Sequence, residues 1–131
     1  MLVGRSPRYE IHSLDLLGCD PAVLAPIAQA CSEVENRVWH AHEDFQSYLA
    51  KQTALFYAVA PGGETVAFAC FDLNLRGDTL VLAVNECMVV PEHQGQGLPN
   101  LFLALLISHL RYHWRSVGKR RRYKKVVALS M

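Results

Sequence analysis

VVPEHQGQGLPNL, residues 89–101, joins two kinds of pattern. An apolar, strand-like run ends at Val90. Gln94-Gly95-Gln96-Gly97 follows, and an apolar helix pattern begins at Leu98, with Pro99 in its first turn. A turn that leaves a strand and opens a helix presents several backbone N–H groups without intrahelical partners, and the helix dipole adds positive potential there. Gly95 and Gly97 let the backbone approach a ligand closely and adopt angles that side chains forbid. Such a turn suits an anion, pyrophosphate above all. A purely structural tight turn uses the same glycines. The setting between a strand and a helix, at the start of a basic segment, favours the anion.

Working outward from this turn, TVAFACFDL (65–73) and TLVLAVNECMVV (79–90) read as strands joined by NLRGD (74–78). ALFYAVA (54–60) precedes them across the turn PGGE (61–64), so 54–90 is an antiparallel meander. Further upstream, RYEIHSL (8–14) alternates as a first strand. Asp20-Pro21 opens a helix in which Val23, Leu24, Ile27, Ala30, Cys31, Val34 and Val38 recur at helical spacing. HEDFQSYLAKQ (42–52) gives a second, short helix with Phe45, Tyr48 and Leu49 on one face. Downstream, LPNLFLALLISHLRYHW (98–114) is a helix apolar around most of its circumference, and KKVVALS (124–130) is a last strand, parallel to 79–90. The predicted order is β-α-α-β-β-β-α-β, a mixed α+β sheet with helices on its faces. The 131 residues fit a single domain, 1–131.

The run Val90-Pro91-Glu92-His93-Gln94-Gly95-Gln96-Gly97-Leu98 resembles the acetyl-CoA-binding signature of the GCN5-related N-acetyltransferase (GNAT) superfamily, Arg/Gln-x-x-Gly-x-Gly/Ala after a strand ending in Val-x-Pro. The element order, with two helices between the first two strands, is also similar to that family's. The resemblance implies a GNAT-like acyl-CoA N-acyltransferase fold and acetyl transfer from acetyl-CoA to a primary amine by direct attack. It implies that Gln94, Gly95, Gln96, Gly97, Leu98 and Asn100 hold the CoA pyrophosphate through their amides. Met88, Val89 and Val90 would pair with the pantetheine arm, in a splay between 79–90 and 126–130. Two features depart from the pattern. Pro99 stands where the family has Gly or Ala and removes one N–H, and the family's last helix and strands have no counterpart before Met131. An open edge invites pairing, so a homodimer, or completion by another chain, is expected. The same departures support an alternative, a non-catalytic CoA-binding or protein-interaction module.

Glu86 is the candidate general base. It sits with Asn85 in an otherwise apolar strand, eight residues before Gln94, where many family members also place an acid. A carboxylate in a partly dry strand has a raised pKa, which suits proton removal from an ammonium acceptor. A purely structural carboxylate is the competing reading. Cys87 points to the other face by strand alternation and is discounted as a nucleophile. Trp39, His40 and His42 lie in the inter-helix loop that, by resemblance, lines the acceptor pocket. Read on its own, this segment is a polar loop with an anchoring tryptophan. Glu35, Glu43 and Asp44 nearby would favour a cationic acceptor.

The net charge of +1 hides an asymmetry. Residues 1–92 hold five Lys or Arg against twelve acids, whereas residues 93–131 hold eight basic residues and no acid. Seven of the eight fall in RSVGKRRRYKK (115–125), interleaved near Tyr112, Trp114 and Tyr123. This run could meet the 3′-phosphate of CoA or a nucleic acid. It lacks any recognised nucleic-acid-binding motif, so nucleic acid is the minor reading. Cys19, Cys31, Cys70 and Cys87 show neither CxxC nor close pairing, so no metal site or disulfide is expected. No apolar run reaches the ~18 residues of a membrane span, and MLVGRSPRYE lacks a secretory leader pattern. The expectation is a cytoplasmic protein.

Overall fold

The structure, a computed structural model, describes residues 2–5, 8–39, 44–77, 79–109 and 125–130. Among them, six strands form one sheet in the order β1-β2-β3-β4-β5-β6. These are β1 (Leu2–Arg5), β2 (Glu10–Asp15), β3 (Ala54–Val59), β4 (Thr65–Arg76), β5 (Thr79–Val89) and β6 (Lys125–Ser130). Neighbours are antiparallel from β1 to β5, and β5–β6 is parallel. The helices are α1 (Pro21–Val38), α2 (Phe45–Ala50) and α3 (Leu98–His109). This is the expected mixed α+β architecture.

The differences from the sequence reading are local. Strand β1 was not anticipated, because LVGR is short and interrupted by Gly4; it joins β2 with a register irregularity between Leu2 and Gly4. Asn74, Leu75 and Arg76, read as a turn, continue β4 instead. Arg76 pairs with Thr79, which leaves a two-residue connection, the commonest hairpin length. Helix α2 is shorter than 42–52: Asp44 caps it, accepting from the Ser47 N–H at 3.1 Å. Helix α1 starts as expected, with Asp20 accepting from the Ala22 N–H and Pro21 in the first turn. Its buried stripe is Leu24, Ala28, Cys31, Val34 and Glu35, so Val23 lies outside it and is exposed.

The core sits on both faces of β3 and β4. All six residues from Val66 to Phe71 are at most 1% exposed, which requires cover on each side. Helices α1 and α2 provide one cover: Phe45 meets Phe68 edge-on at 5.5 Å between ring centroids, and the Tyr48 hydroxyl lies 3.8 Å from Cys70 Sγ. Helix α3, packed on β1 and β4, provides the other, burying Leu98, Phe102 and Leu106. On that side Phe56 and Phe71 meet edge-on at 5.9 Å. Among the described residues no helix is long and apolar enough to cross a membrane.

Candidate functional site

Two adjoining regions carry the polar chemistry: the second half of β5 and the turn that follows it. In β5 the register against β4 shifts once. Cys70 faces Glu86 and Phe71 faces Val84, which leaves Asn85 as the extra residue of a β-bulge. Beyond the bulge, Glu86 and Met88 share the α2 side with Cys70 and Phe68, while Cys87 and Val89 pair with Ala69 and Ala67 on the α3 side. Glu86 thus stands opposite Cys70 and close to the hydroxyl of Tyr48. Burial raises the Tyr48 phenol well above its ordinary range, and Cys70 and the Glu86 carboxylate raise it further. The Cys70 thiol is pushed up to about 12, by burial first and then by the charges of Glu86 and Asp72, against a lowering hydrogen bond from Tyr48. Burial also pushes Cys87 up to about 11. That shift disfavours the thiolate, the form in which a cysteine acts as a nucleophile.

Among the described residues, the backbone of the same half-strand pairs with β4 on one side and with no strand on the other. The Val90 N–H bonds the Val66 carbonyl at 2.9 Å, so even-numbered peptide groups here point toward β4. By alternation those of Cys87 and Val89 point the other way. Described pairing with β6 runs from Thr79↔Lys125 to Val84↔Ser130, before the bulge. The Val89 carbonyl accepts from Gln94 Nε2 at 3.0 Å.

The turn comprises a short 3-10 segment, Pro91–His93, then Gln94 to Gly97. Gly95 and Gly97 have φ of +80° and +76°, and a Cβ added at either would meet nothing within 4 Å. The glycines are therefore required by backbone angle, and they border open space. The Leu101 N–H bonds the Gly97 carbonyl at 3.0 Å, so the N–H groups of Leu98 and Asn100 fall in the first helical turn, where intrahelical acceptors are lacking. Pro99 contributes none. Leu98 is buried and anchors the helix, whereas Gln94, Gln96 and Asn100 are exposed.

Three distant side chains brace this turn, and none was anticipated. Arg8 Nη1 donates to Gln96 Oε1 at 3.2 Å. The Tyr9 hydroxyl and His93 Nδ1 are 2.7 Å apart. Arg37 clamps both oxygens of Glu92 through Nη2 and reaches Glu64 at 3.3 Å. Glu92 is held below the usual carboxylate range by its own backbone N–H and by Arg37. Each partner lies at least 55 residues from the turn. Spacing along the chain carries no signal for such pairs.

Trp39 ends α1 and is 71% exposed. His40, His42 and Glu43 lie outside the described residues, as does most of the basic run 115–125. Of the three acids expected to favour a cationic acceptor, Glu35 is 1% exposed and belongs to the buried face of α1. Asp44 spends its carboxylate on Ser47, and that hydrogen bonding lowers its pKa. Among the described residues no cluster of three or more His, Cys, Asp or Glu could hold a metal.

The architecture is that of the GCN5-related N-acetyltransferases, and the chain has the GNAT acyltransferase fold. It is similar to a ribosomal-protein-alanine N-acetyltransferase from Brucella melitensis biovar Abortus 2308, with a TM-score of 0.60 at 15% identity over 94% of this chain and 81% of that one. It is likewise similar to the aminoglycoside N-acetyltransferase AAC(6′)-Iy in complex with CoA, with a TM-score of 0.56 at 14% identity over 99% and 82% of the two chains. The Escherichia coli ribosomal-protein-S18-alanine N-acetyltransferase gives 0.56 at 22% identity, over 78% of this chain and 59% of that one. At these identities the likeness is one of fold. No protein-family model and no curated protein matches the sequence.

Proposed function

We propose that the chain is an acyl-CoA-dependent N-acyltransferase that passes an acetyl group to a primary amine. The observation that carries this reading is the continuity of bulged strand and turn: Glu86 projects to one side of a strand whose edge leads into the glycine turn at 95–97. Acetyl-CoA enters as a substrate. The amides from Gln94 to Asn100, without that of Pro99, receive its pyrophosphate. The expected pantetheine contacts were Met88, Val89 and Val90, but the Val90 N–H is bonded to Val66 and the Met88 peptide faces β4; the outward peptides of Val89 and Cys87 take that role and polarise the thioester carbonyl. The amine nitrogen forms a bond to the thioester carbon, the carbon–sulfur bond breaks, Glu86 takes the amine's proton directly or through water, and the departing thiolate takes a proton from solvent water.

Losing the Pro99 N–H removes one charge-assisted hydrogen bond, about 1.5–3 kcal/mol of anion affinity. Arg8, hydrogen-bonded to Gln96, brings a guanidinium to the edge of the turn. The neighbours of this fold include enzymes named for ribosomal-protein alanine and for aminoglycosides. Both names are compatible with an amine acceptor, and Trp39, His40 and His42 remain the proposed lining of its pocket. The second reading, a CoA-binding module without turnover, draws on Pro99 and on the Val89 carbonyl already accepting from Gln94. A cytoplasmic, dimeric protein completes the proposal.

Product formation from acetyl-CoA with a panel of amines tests the reading, with Glu86→Gln as the decisive variant. Turnover should fall roughly 10²- to 10⁴-fold while CoA binding persists. Full turnover by Glu86→Gln would remove Glu86 from the mechanism, and binding without turnover in the wild type would favour the module.

A further inference from the structure

Tyr48 is a polar residue on the inner side of α2, and the packing of that helix fixes where its hydroxyl goes. Asp44 caps the helix, and one turn on the Tyr48 N–H bonds the Asp44 carbonyl at 3.0 Å. Phe45, Tyr48 and Leu49 share one side by their helical spacing. Leu49 is closed off from solvent, and Phe45 meets Phe68 edge-on. Phe68 and Cys70 alternate along β4 onto the same face. One helical turn laid against that pair sets Tyr48 over Cys70, its hydroxyl 3.8 Å from Sγ and its ring centroid 5.8 Å from that of Phe45. Cys70 stands directly opposite Glu86, and the Tyr48 hydroxyl is hydrogen-bonded to that carboxylate as well as to the thiol.

A phenol carries a single proton, so the thiol and the carboxylate compete for it. Cys70, pushed up to about 12 by burial first, is an uncharged thiol at neutral pH and a weak acceptor. Hydrogen bonds to ionised groups are roughly twice as strong as neutral ones, so the carboxylate is the preferred partner. The phenol itself keeps its proton: burial first, then the charges of Cys70 and Glu86 and its hydrogen bonds to them, hold it on well above the ordinary range. Tyr48 is therefore a standing donor and not a second base. A glutamate side chain is long and rich in rotamers, and a donor on a capped, packed helix removes those that would carry the carboxylate away. We propose that Tyr48 is a positioning residue of the site, donating a hydrogen bond to Glu86 and holding that carboxylate for the incoming amine. The catalytic consequence rests on the acyltransferase reading, whereas the hydrogen bond does not.

Tyr48→Phe keeps the ring against Phe45 and deletes only the hydroxyl. Carboxyl-carbon NMR of the full chain reads the result, with Glu86→Gln assigning the Glu86 resonance. Loss of the donor disfavours the carboxylate, so the Glu86 titration midpoint should rise in Tyr48→Phe by about one pH unit. The other titratable groups facing this region, Cys70 and Asp72 of β4 and Cys31 and Glu35 on the buried stripe of α1, are the same in both proteins. In turnover, the acid limb of kcat/KM should move up with that midpoint. The kcat should fall roughly tenfold, while stabilisation by acetyl-CoA persists. A loss of packing alone would move neither the midpoint nor the limb. An unchanged midpoint in folded Tyr48→Phe would overturn the proposal. Should Tyr48→Phe not fold, a crystal structure of the wild type decides, and a Tyr48 hydroxyl beyond hydrogen-bond reach of Glu86 would equally overturn it. A wild type that turns over no amine would count against the acyltransferase reading alone, and the NMR midpoint would still decide the role of Tyr48.

Discussion

On the α3 side of the sheet, Ile11, Phe56, Ala69 and Phe71 are closed off from solvent as hydrocarbon. On the α1–α2 side the same strands carry Cys70, Asp72, Asn85 and Glu86 beside Tyr48. The first face gains its stability from close packing, which tolerates no missing volume. The second gives up apolar contact for polar groups that must each be satisfied. The difference shows how a small fold holds a carboxylate in place: one face supplies the cohesion, and a single bulge on the shared strand delivers the carboxylate to the other.

The contrast can be broken from either side. Glu86→Gln should produce the largest effect on activity, the 10²- to 10⁴-fold fall in turnover expected for loss of a general base, with little change in melting temperature. Phe71→Ala should do the opposite. It removes a ring packed on Phe56 and fully screened from solvent, at a cost of about 3–5 kcal/mol in denaturant titrations, while the molecules that remain folded retain their affinity for CoA. Gly97→Val sharpens the picture at the turn. It forces a β-branched residue to φ +76°, a strain of order 1–3 kcal/mol, and a calorimetric titration should show weaker CoA binding than the stability loss alone explains.

Much of this was legible in the sequence, and for definite reasons. The β3–β5 meander announced itself through apolar runs and PGGE, and the start of α1 through Asp20-Pro21. The glycines at 95 and 97 marked positive φ, which the backbone confirms. Tertiary facts were not legible. Alternation cannot reveal that Asn85 drops out of the ladder, because it describes one strand and a bulge is a mismatch against the strand it pairs with. Helical spacing placed Tyr48 with Phe45 and Leu49, yet said nothing of its meeting with Cys70 and Glu86. The same holds for Arg8, Tyr9 and Arg37 around the turn.

The account depends most on the turn after β5 receiving the pyrophosphate of CoA, and thermal unfolding with acetyl-CoA, free CoA and ATP addresses that claim directly. A ligand at 100 times its Kd stabilises by about 2.7 kcal/mol, and each kcal/mol moves the midpoint of a domain this size by roughly 3–6 °C. The account predicts an upward shift of that order with acetyl-CoA and with CoA, none with ATP, and a reduced shift in Gly97→Val. No shift with millimolar CoA, or an equal shift with ATP, would contradict it and leave the turn as scaffold.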